Sequence, residues 1–193
     1  MRVLVSGFGP FLEEKVNPTE RIVQFVNSCD SHAREWSKLD VRGVVLPVVF
    51  DEAFVRLEKE RLLFKPDAVL SFGLAGGRTH VEIEQIATNF PDPRLATYPT
   101  TLPSEALIAD LTARGIPARP SYTAGTYVCN CLFFQMQERL RYTRVMSGFI
   151  HVPRLAEGRE EGSVTETAWS WEKFEASVDS ILATISRLGD RRA

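Results

Sequence analysis

The sequence predicts an α/β protein: one three-layer αβα sandwich over residues 1–193, with a mostly parallel, twisted sheet. Two observations predict it. Short apolar runs of strand length alternate along the chain with segments of helical periodicity, the order expected when parallel strands are joined by crossover helices. The size suits a single core, because 193 residues, 44% of them hydrophobic, bury a sizeable interior and leave little room for a second domain.

Arg2 to Ser6 reads as a buried strand, closed by the turn Gly7-Phe8-Gly9-Pro10-Phe11, since Gly and Pro punctuate regular structure. A helix follows from Asn17: Asn17 caps it, Pro18 suits the first helical position and Glu20 completes a capping box, with Ile22, Phe25 and Val26 as the apolar stripe. Val41 to Val49 is strand-like, Phe54 to Leu63 helical, and Ala68 to Phe72 a short apolar run ending in Gly73 and the loop Ala75-Gly76-Gly77. Val81-Glu82-Ile83-Glu84 alternates with period two, which predicts a strand with one apolar face and one face carrying both carboxylates.

Ser104 is placed to cap a helix carrying Leu107, Ile108 and Leu111, ended by Gly115 and Pro117. Tyr122 to Thr126 leads into a helix with Val128, Leu132, Phe133, Met136 and Leu140 at helical spacing, and Val145 to Ile150 returns as a strand ending at His151. From about Trp171 onward, Phe174, Val178, Ile181, Leu182, Ile185 and Leu188 form the clearest stripe, after a polar connection from Glu157 to Thr167 that reads as an exposed loop near His151. The sequence shows no internal repeat, low-complexity tract or domain linker.

Composition narrows the function. The 23 basic and 25 acidic residues nearly balance and are scattered, which argues against a nucleic-acid groove or an anionic membrane surface and for a small or peptidic partner. No stretch approaches the ~20 apolar residues of a membrane span, and Met1-Arg2-Val3-Leu4-Val5 enters a strand without a signal-peptide core, so a cytoplasmic location is expected. Three cysteines make a disulfide framework unexpected and leave a thiol free for chemistry.

Ala124-Gly125-Thr126-Tyr127-Val128-Cys129-Asn130 sets a cysteine at or near the start of a helix. Unpaired backbone N–H groups and the helix dipole there favour a thiolate and can also hold an oxyanion; the plainer reading is a small buried hydrophobe. A thiol mechanism needs a base. Of three histidines, His32 lies in a polar stretch and His80 at a strand edge, whereas His151 follows Gly148-Phe149-Ile150 and precedes Val152-Pro153. That is the end of a buried strand, where α/β proteins build active sites, although a hydrogen-bonded core histidine fits the position too. A carboxylate should orient the imidazole. Glu82 and Glu84 both qualify, and spacing does not choose between them or against a solvated strand face.

Together these segments resemble pyroglutamyl-peptidase I, the pyrrolidone-carboxylate peptidase family. Four blocks carry the match in the family's order: Ser6-Gly7-Phe8-Gly9-Pro10-Phe11 with Asn17-Pro18; Gly73-Leu74-Ala75-Gly76-Gly77-Arg78-Thr79 through Glu84 to Asn89; Ala124 to Asn130; and Gly148-Phe149-Ile150-His151-Val152-Pro153. The resemblance implies a cysteine peptidase that removes N-terminal pyroglutamate through a thioester, with Cys129 as nucleophile, His151 as base and Glu84 rather than Glu82 as the acid. It also implies Arg94 at the oxyanion, and Phe8, Phe11, Leu74, Tyr127 and Val128 around the substrate ring. It further implies no cofactor or metal, pyroglutamyl peptides as substrates, and a homotetramer. Pyroglutamate is a small, flat, uncharged lactam, so apolar walls suit it, while a charged amino terminus would have to be desolvated to enter.

The chain departs from the family pattern in four places. Leu74 stands where glutamine is common, the segment Leu95-Ala96-Thr97-Tyr98-Pro99 after Arg94 is short, Cys131 replaces a histidine, and Arg154 replaces an aromatic. The short segment after Arg94 makes a non-enzymatic relative that keeps the fold and binds peptides or a protein partner the rival reading. A Cys129–Cys131 redox or metal pair is disfavoured because residues two apart on a helix diverge, and Gly7-Phe8-Gly9 fails as a dinucleotide cradle because Leu12 takes the place of the third glycine.

Overall fold

The computed structural model describes residues 1–11, 16–89, 96–156 and 168–190. In chain order the elements are β1 (Arg2–Phe8), α1 (Pro18–Ser28), β2 (Asp40–Leu46), α2 (Glu52–Phe64), β3 (Ala68–Leu74), β4 (Val81–Glu84) and β5 (Ile86–Thr88). They continue as β6 (Thr97–Pro99), α3 (Ser104–Ala113), β7 (Ala118–Ser121), α4 (Val128–Leu140), β8 (Met146–Val152) and α5 (Trp171–Asp190). A six-stranded sheet runs β2-β1-β3-β8-β4-β7, with β5 and β6 as a separate antiparallel pair. The first four strands are parallel, β4 is antiparallel to β8, and β7 is parallel to β4.

Alternation along the strands builds two cores. Val3, Val5, Leu70, Phe72, Ile83 and Ile150 face one side, under Ile22 and Phe25 of α1, Leu107 and Leu111 of α3 and Phe174, Val178 and Ile181 of α5. Leu4, Phe8, Val69 and Phe149 face the other, under Leu57 of α2 and Leu132, Phe133 and Met136 of α4. Helices thus cover both faces, and the expected three layers are present. The α5 stripe is buried throughout its middle; truncating a side chain such as Phe174 to alanine should cost about 3–5 kcal/mol.

Several boundaries depart from expectation for local reasons. β2 stops at Leu46 because Pro47 cannot donate to the ladder, so Val48 and Val49 belong to a loop. Ser104 is the first residue of α3 rather than its cap, which is Pro103 without a side-chain hydrogen bond. β7 is not among the strands expected from the sequence; it contains Pro120, which is tolerated at the sheet edge that β7 occupies. The three-residue strands β5 and β6 are too short to show a period. β8 extends through His151 to Val152. The expected 157–167 loop lies outside the described residues.

Candidate active site

At the carboxyl end of β1, a Cβ on Gly7 would lie 2.2 Å from the Thr19 carbonyl oxygen. Only glycine lets α1 approach the strand so closely. Asn17 caps α1 by accepting from the Thr19 N–H at 3.0 Å, and its amide donates to the Gly9 carbonyl at 3.0 Å. The cap therefore ties down the segment that leads from Phe8, the last residue of β1, to Phe11.

Cys129 is the second residue of α4. The N-cap residue Tyr127 has extended backbone and offers no side-chain cap, so the helix start is open to a ligand. The sulfur lies above the sheet at Gly73: a Cβ built there would be 3.1 Å from Cys129 Sγ and 2.6 Å from Phe149 Cε1. Gly73 is the register partner of His151 in the neighbouring parallel strand. Register partners project to the same face from strands about 4.8 Å apart, so the sulfur fills the slot beside the imidazole.

His151 is buried, and Phe149 packs on its ring with centroids 5.0 Å apart. Its Nδ1 lies 2.7 Å from Glu84 Oε1. Nδ1 donates to the carboxylate, which leaves Nε2 as the atom free to take a proton.

Glu82 and Glu84 do share a face of β4, but the face is interior: the residues are 3% and 0% exposed. The two carboxylates differ in partners. Glu84 faces His151, while Glu82 accepts from Arg119 Nε at 2.8 Å and Nη2 at 2.6 Å. Arg78 bridges both, its Nη1 reaching Glu82 and lying 2.7 Å from Glu84 Oε1, while Nη2 donates to the Thr123 carbonyl at 2.8 Å. Burial disfavours the charged form of Glu84, but the hydrogen bond and charge of His151, with hydrogen bonds from Ser121 and Arg78, outweigh it and hold the carboxyl below its ordinary value.

The Cys129 thiol departs from the sequence expectation. Burial pushes it up to about 12, with the Glu84 charge adding to the rise, against the lowering influence of its own backbone N–H and of Arg78. Desolvation outweighs the helix terminus.

Phe8, Phe11, Leu74, Tyr127, Val128, Cys129 and His151 line one cleft of about 600 Å³, its open mouth included. Sequence reasoning gave no site role to Asn17, Val48 and Ala124 on its wall, and none to Arg78. Arg78 was legible only as the residue ending a Gly-Gly turn before the carboxylate strand. Asn130, also missed, donates to the Thr88 carbonyl at 2.8 Å and accepts from the Thr88 N–H at 3.1 Å, fixing the start of α4 to β5. Arg94 lies outside the described residues. Among the described residues no group of three or more His, Cys, Asp or Glu side chains is placed to hold a metal ion, all three cysteines are free thiols, and no helix is long and apolar enough to cross a membrane.

The family model for pyroglutamyl peptidase matches residues 1–98 and 95–185. The pyrrolidone-carboxylate peptidase of Pyrococcus furiosus is 39% identical over 180 residues, spanning 81% of this chain and 83% of that protein. That of Fusobacterium nucleatum is 34% identical over 176 residues, spanning 81% and 79%. The crystal structure of pyroglutamyl peptidase I from Bacillus amyloliquefaciens superposes with a TM-score of 0.84 at 26% identity, covering 96% of this chain and 97% of that one.

A mostly parallel sheet with helices on both faces and this cleft at its strand ends is thus the frame of a hydrolase, and within that class of a peptidase. The chain belongs to the pyroglutamyl peptidase family.

Proposed function

We propose that the chain, acting as one catalytic domain over residues 1–193, hydrolyses the bond after an N-terminal pyroglutamyl residue of a peptide, with Cys129 as nucleophile. One observation carries this reading: the sulfur of Cys129 sits over the register partner of His151, whose Nδ1 is hydrogen-bonded to a buried Glu84, and Cys129 and His151 line one apolar cleft. The wall of Phe8, Phe11, Leu74, Tyr127 and Val128 fits a flat, uncharged lactam and disfavours a charged amino terminus, which would lose its hydration on entry.

In this mechanism His151 Nε2 takes the thiol proton as Sγ attacks the pyroglutamyl carbonyl carbon, so thiolate forms only during the reaction. The high resting value of the thiol agrees with such concerted transfer. The oxyanion is held by N–H groups of the first turn of α4 and, by family resemblance, by Arg94. Collapse breaks the carbon–nitrogen bond, and the imidazolium gives its proton to the departing amine. Water, deprotonated by His151, then attacks the thioester; pyroglutamate leaves and Sγ recovers its proton. Glu84 keeps the imidazole in the useful tautomer and stabilises it while charged. The free thiols suit a cytoplasmic enzyme, and family resemblance supports a homotetramer acting without a cofactor.

The test compares amine release from a pyroglutamyl amide and its prolyl counterpart, with and without iodoacetamide. Hydrolysis of the pyroglutamyl compound alone, lost on alkylation and in a folded Cys129→Ala variant, is the expected result. Retained turnover in Cys129→Ala would refute the assignment.

A further inference from the structure

The loop from Pro47 to Asp51 climbs from the interior of the cleft to its mouth. Val48 lines the cleft, whereas Val49 and Phe50 are 45% and 43% exposed. At the mouth Phe50 meets Tyr127 edge to face, with ring centroids 5.3 Å apart and planes at 89°. Tyr127 lies two residues before Cys129 and is itself 47% exposed. Two aromatic rings held half in water beside a nucleophile form an apolar shelf continuous with the cleft wall.

The backbone that presents Phe50 is strained. Asp51 has φ 61° and ψ −41°, and the Glu52 N–H donates to the Phe50 carbonyl at 2.7 Å. This is a γ-turn of the positive-φ form, the rarer and more costly of the two. α4 holds it in place, for Gln135 Nε2 donates to Asp51 Oδ1 at 2.9 Å. The helix that carries Cys129 at its start therefore also fixes the turn that carries Phe50. Non-glycine strain of this kind persists where the surroundings over-determine it, and it clusters at functional sites.

We infer that Phe50 and Tyr127 form the subsite for the second residue of the substrate peptide, and that this subsite selects apolar and aromatic side chains. The inference rests on the proposed pyroglutamyl peptidase activity. When the first residue is enclosed and its carbonyl carbon is bonded to Cys129 Sγ, the amine being released lies toward the mouth, and the side chain attached to it must pass the rim. A large apolar side chain loses water against the two rings. An acidic one gains nothing from the rings and would lose hydration against them.

The experiment measures kcat/KM for pyroglutamyl-phenylalanine, pyroglutamyl-alanine and pyroglutamyl-aspartate amides with the intact protein and the variants Phe50→Ala, Phe50→Leu and Gln135→Ala. The intact protein should favour phenylalanine over alanine by about tenfold, a difference typical of one apolar contact, with aspartate slowest. Phe50→Ala should bring the phenylalanine-to-alanine ratio close to one. Phe50→Leu should retain most of it, and Gln135→Ala, which releases the turn from α4, should lower it. Equal rates for phenylalanine and alanine in the intact protein, or an unchanged ratio in Phe50→Ala, would overturn the subsite. So would an unchanged ratio accompanied by a fall in molecular mass on sedimentation, which would make the shelf a contact between copies of the chain. Failure of the intact protein to cleave any of the three amides would instead remove the proposed function, and the subsite with it.

Discussion

Arg78 meets Glu84 at 2.7 Å through Nη1, the same nitrogen that reaches Glu82. The charge opposing Glu84 is thus divided: Arg78 serves both carboxylates, Arg119 serves Glu82, and His151 serves Glu84. How much negative charge the pair of Glu84 and His151 retains then depends on residues that touch no substrate. Glu82→Gln concentrates Arg78 on Glu84 and disfavours the protonated pair, so the acid limb of kcat/KM should move to lower pH. Arg78→Met removes the cation, so the limb should move to higher pH. Shifts of about half to one pH unit are expected, since nearby unit charges are worth ~1 kcal/mol even at the dielectric constant of water. Shifts in the same direction would contradict this division of charge. Arg78→Met should also lose about 1.5–3 kcal/mol of stability, because each buried carboxylate keeps its other partner but loses one charged hydrogen bond, with Arg78→Lys recovering part of it.

A side chain at Gly73 would crowd Cys129. Alanine there would bring its Cβ to 3.1 Å from Cys129 Sγ and 2.6 Å from Phe149 Cε1. Displacing the sulfur or the ring that backs His151 should lower kcat/KM about 100-fold, as misplacement near 1 Å does, with a stability loss of ~1–3 kcal/mol from overpacking. Gly77→Ala is the matched control, because a Cβ at Gly77 meets nothing within 4 Å. Steady-state kinetics and urea midpoints on both variants test it, and equal effects would show that the geometry at Gly73 is unimportant.

The layers and most elements were legible because they rest on local periodicity. The α5 stripe, the cap at Asn17 and the alternation of Val81 to Glu84 read the same in sequence and structure. What failed was whatever depended on a partner distant in sequence. Alternation placed Glu82 and Glu84 on one face, but only the packing of β7 and β8 against β4 makes that face interior. The four-residue β7 goes unread until it is seen paired with β4 at the sheet edge, and Arg78 is a loop residue until its carboxylates fold around it. The slot for Cys129 beside His151 is likewise a product of register between β3 and β8, which no single segment encodes.

The thiol should behave as a buried acid in the free protein. With its value pushed up to about 12, first by burial and then by the Glu84 charge, little thiolate exists at neutral pH. Inactivation by iodoacetamide should therefore keep accelerating through pH 9 without levelling off. A preformed thiolate would instead give a plateau below about pH 7, as low-pKa cysteines do. Stopped-time alkylation followed by residual activity distinguishes the two, and a plateau below pH 7 would overturn the proton-transfer order proposed for the attack.

Glu84 links the chemistry to stability. Its carboxyl is held below the ordinary value although burial opposes this, because His151, Ser121 and Arg78 stabilise the ionised form. A group depressed on folding stabilises the native state above its unfolded value, and that stabilisation fades as pH falls through the folded value. Glu84→Gln should accordingly be less stable than the intact protein at pH 7, and the gap should narrow as pH drops below about 4.5, the ordinary carboxylate value. Urea unfolding of both proteins at pH 7 and pH 3.5 measures it. Turnover should fall about 10²–10⁴-fold in the same variant, because a neutral amide can favour the wrong imidazole tautomer and cannot stabilise its charged form. A gap independent of pH would mean that folding leaves the Glu84 carboxyl at its ordinary value, and a gap that widens on acidification would mean that it is held neutral in the folded protein; either would overturn the depressed carboxyl.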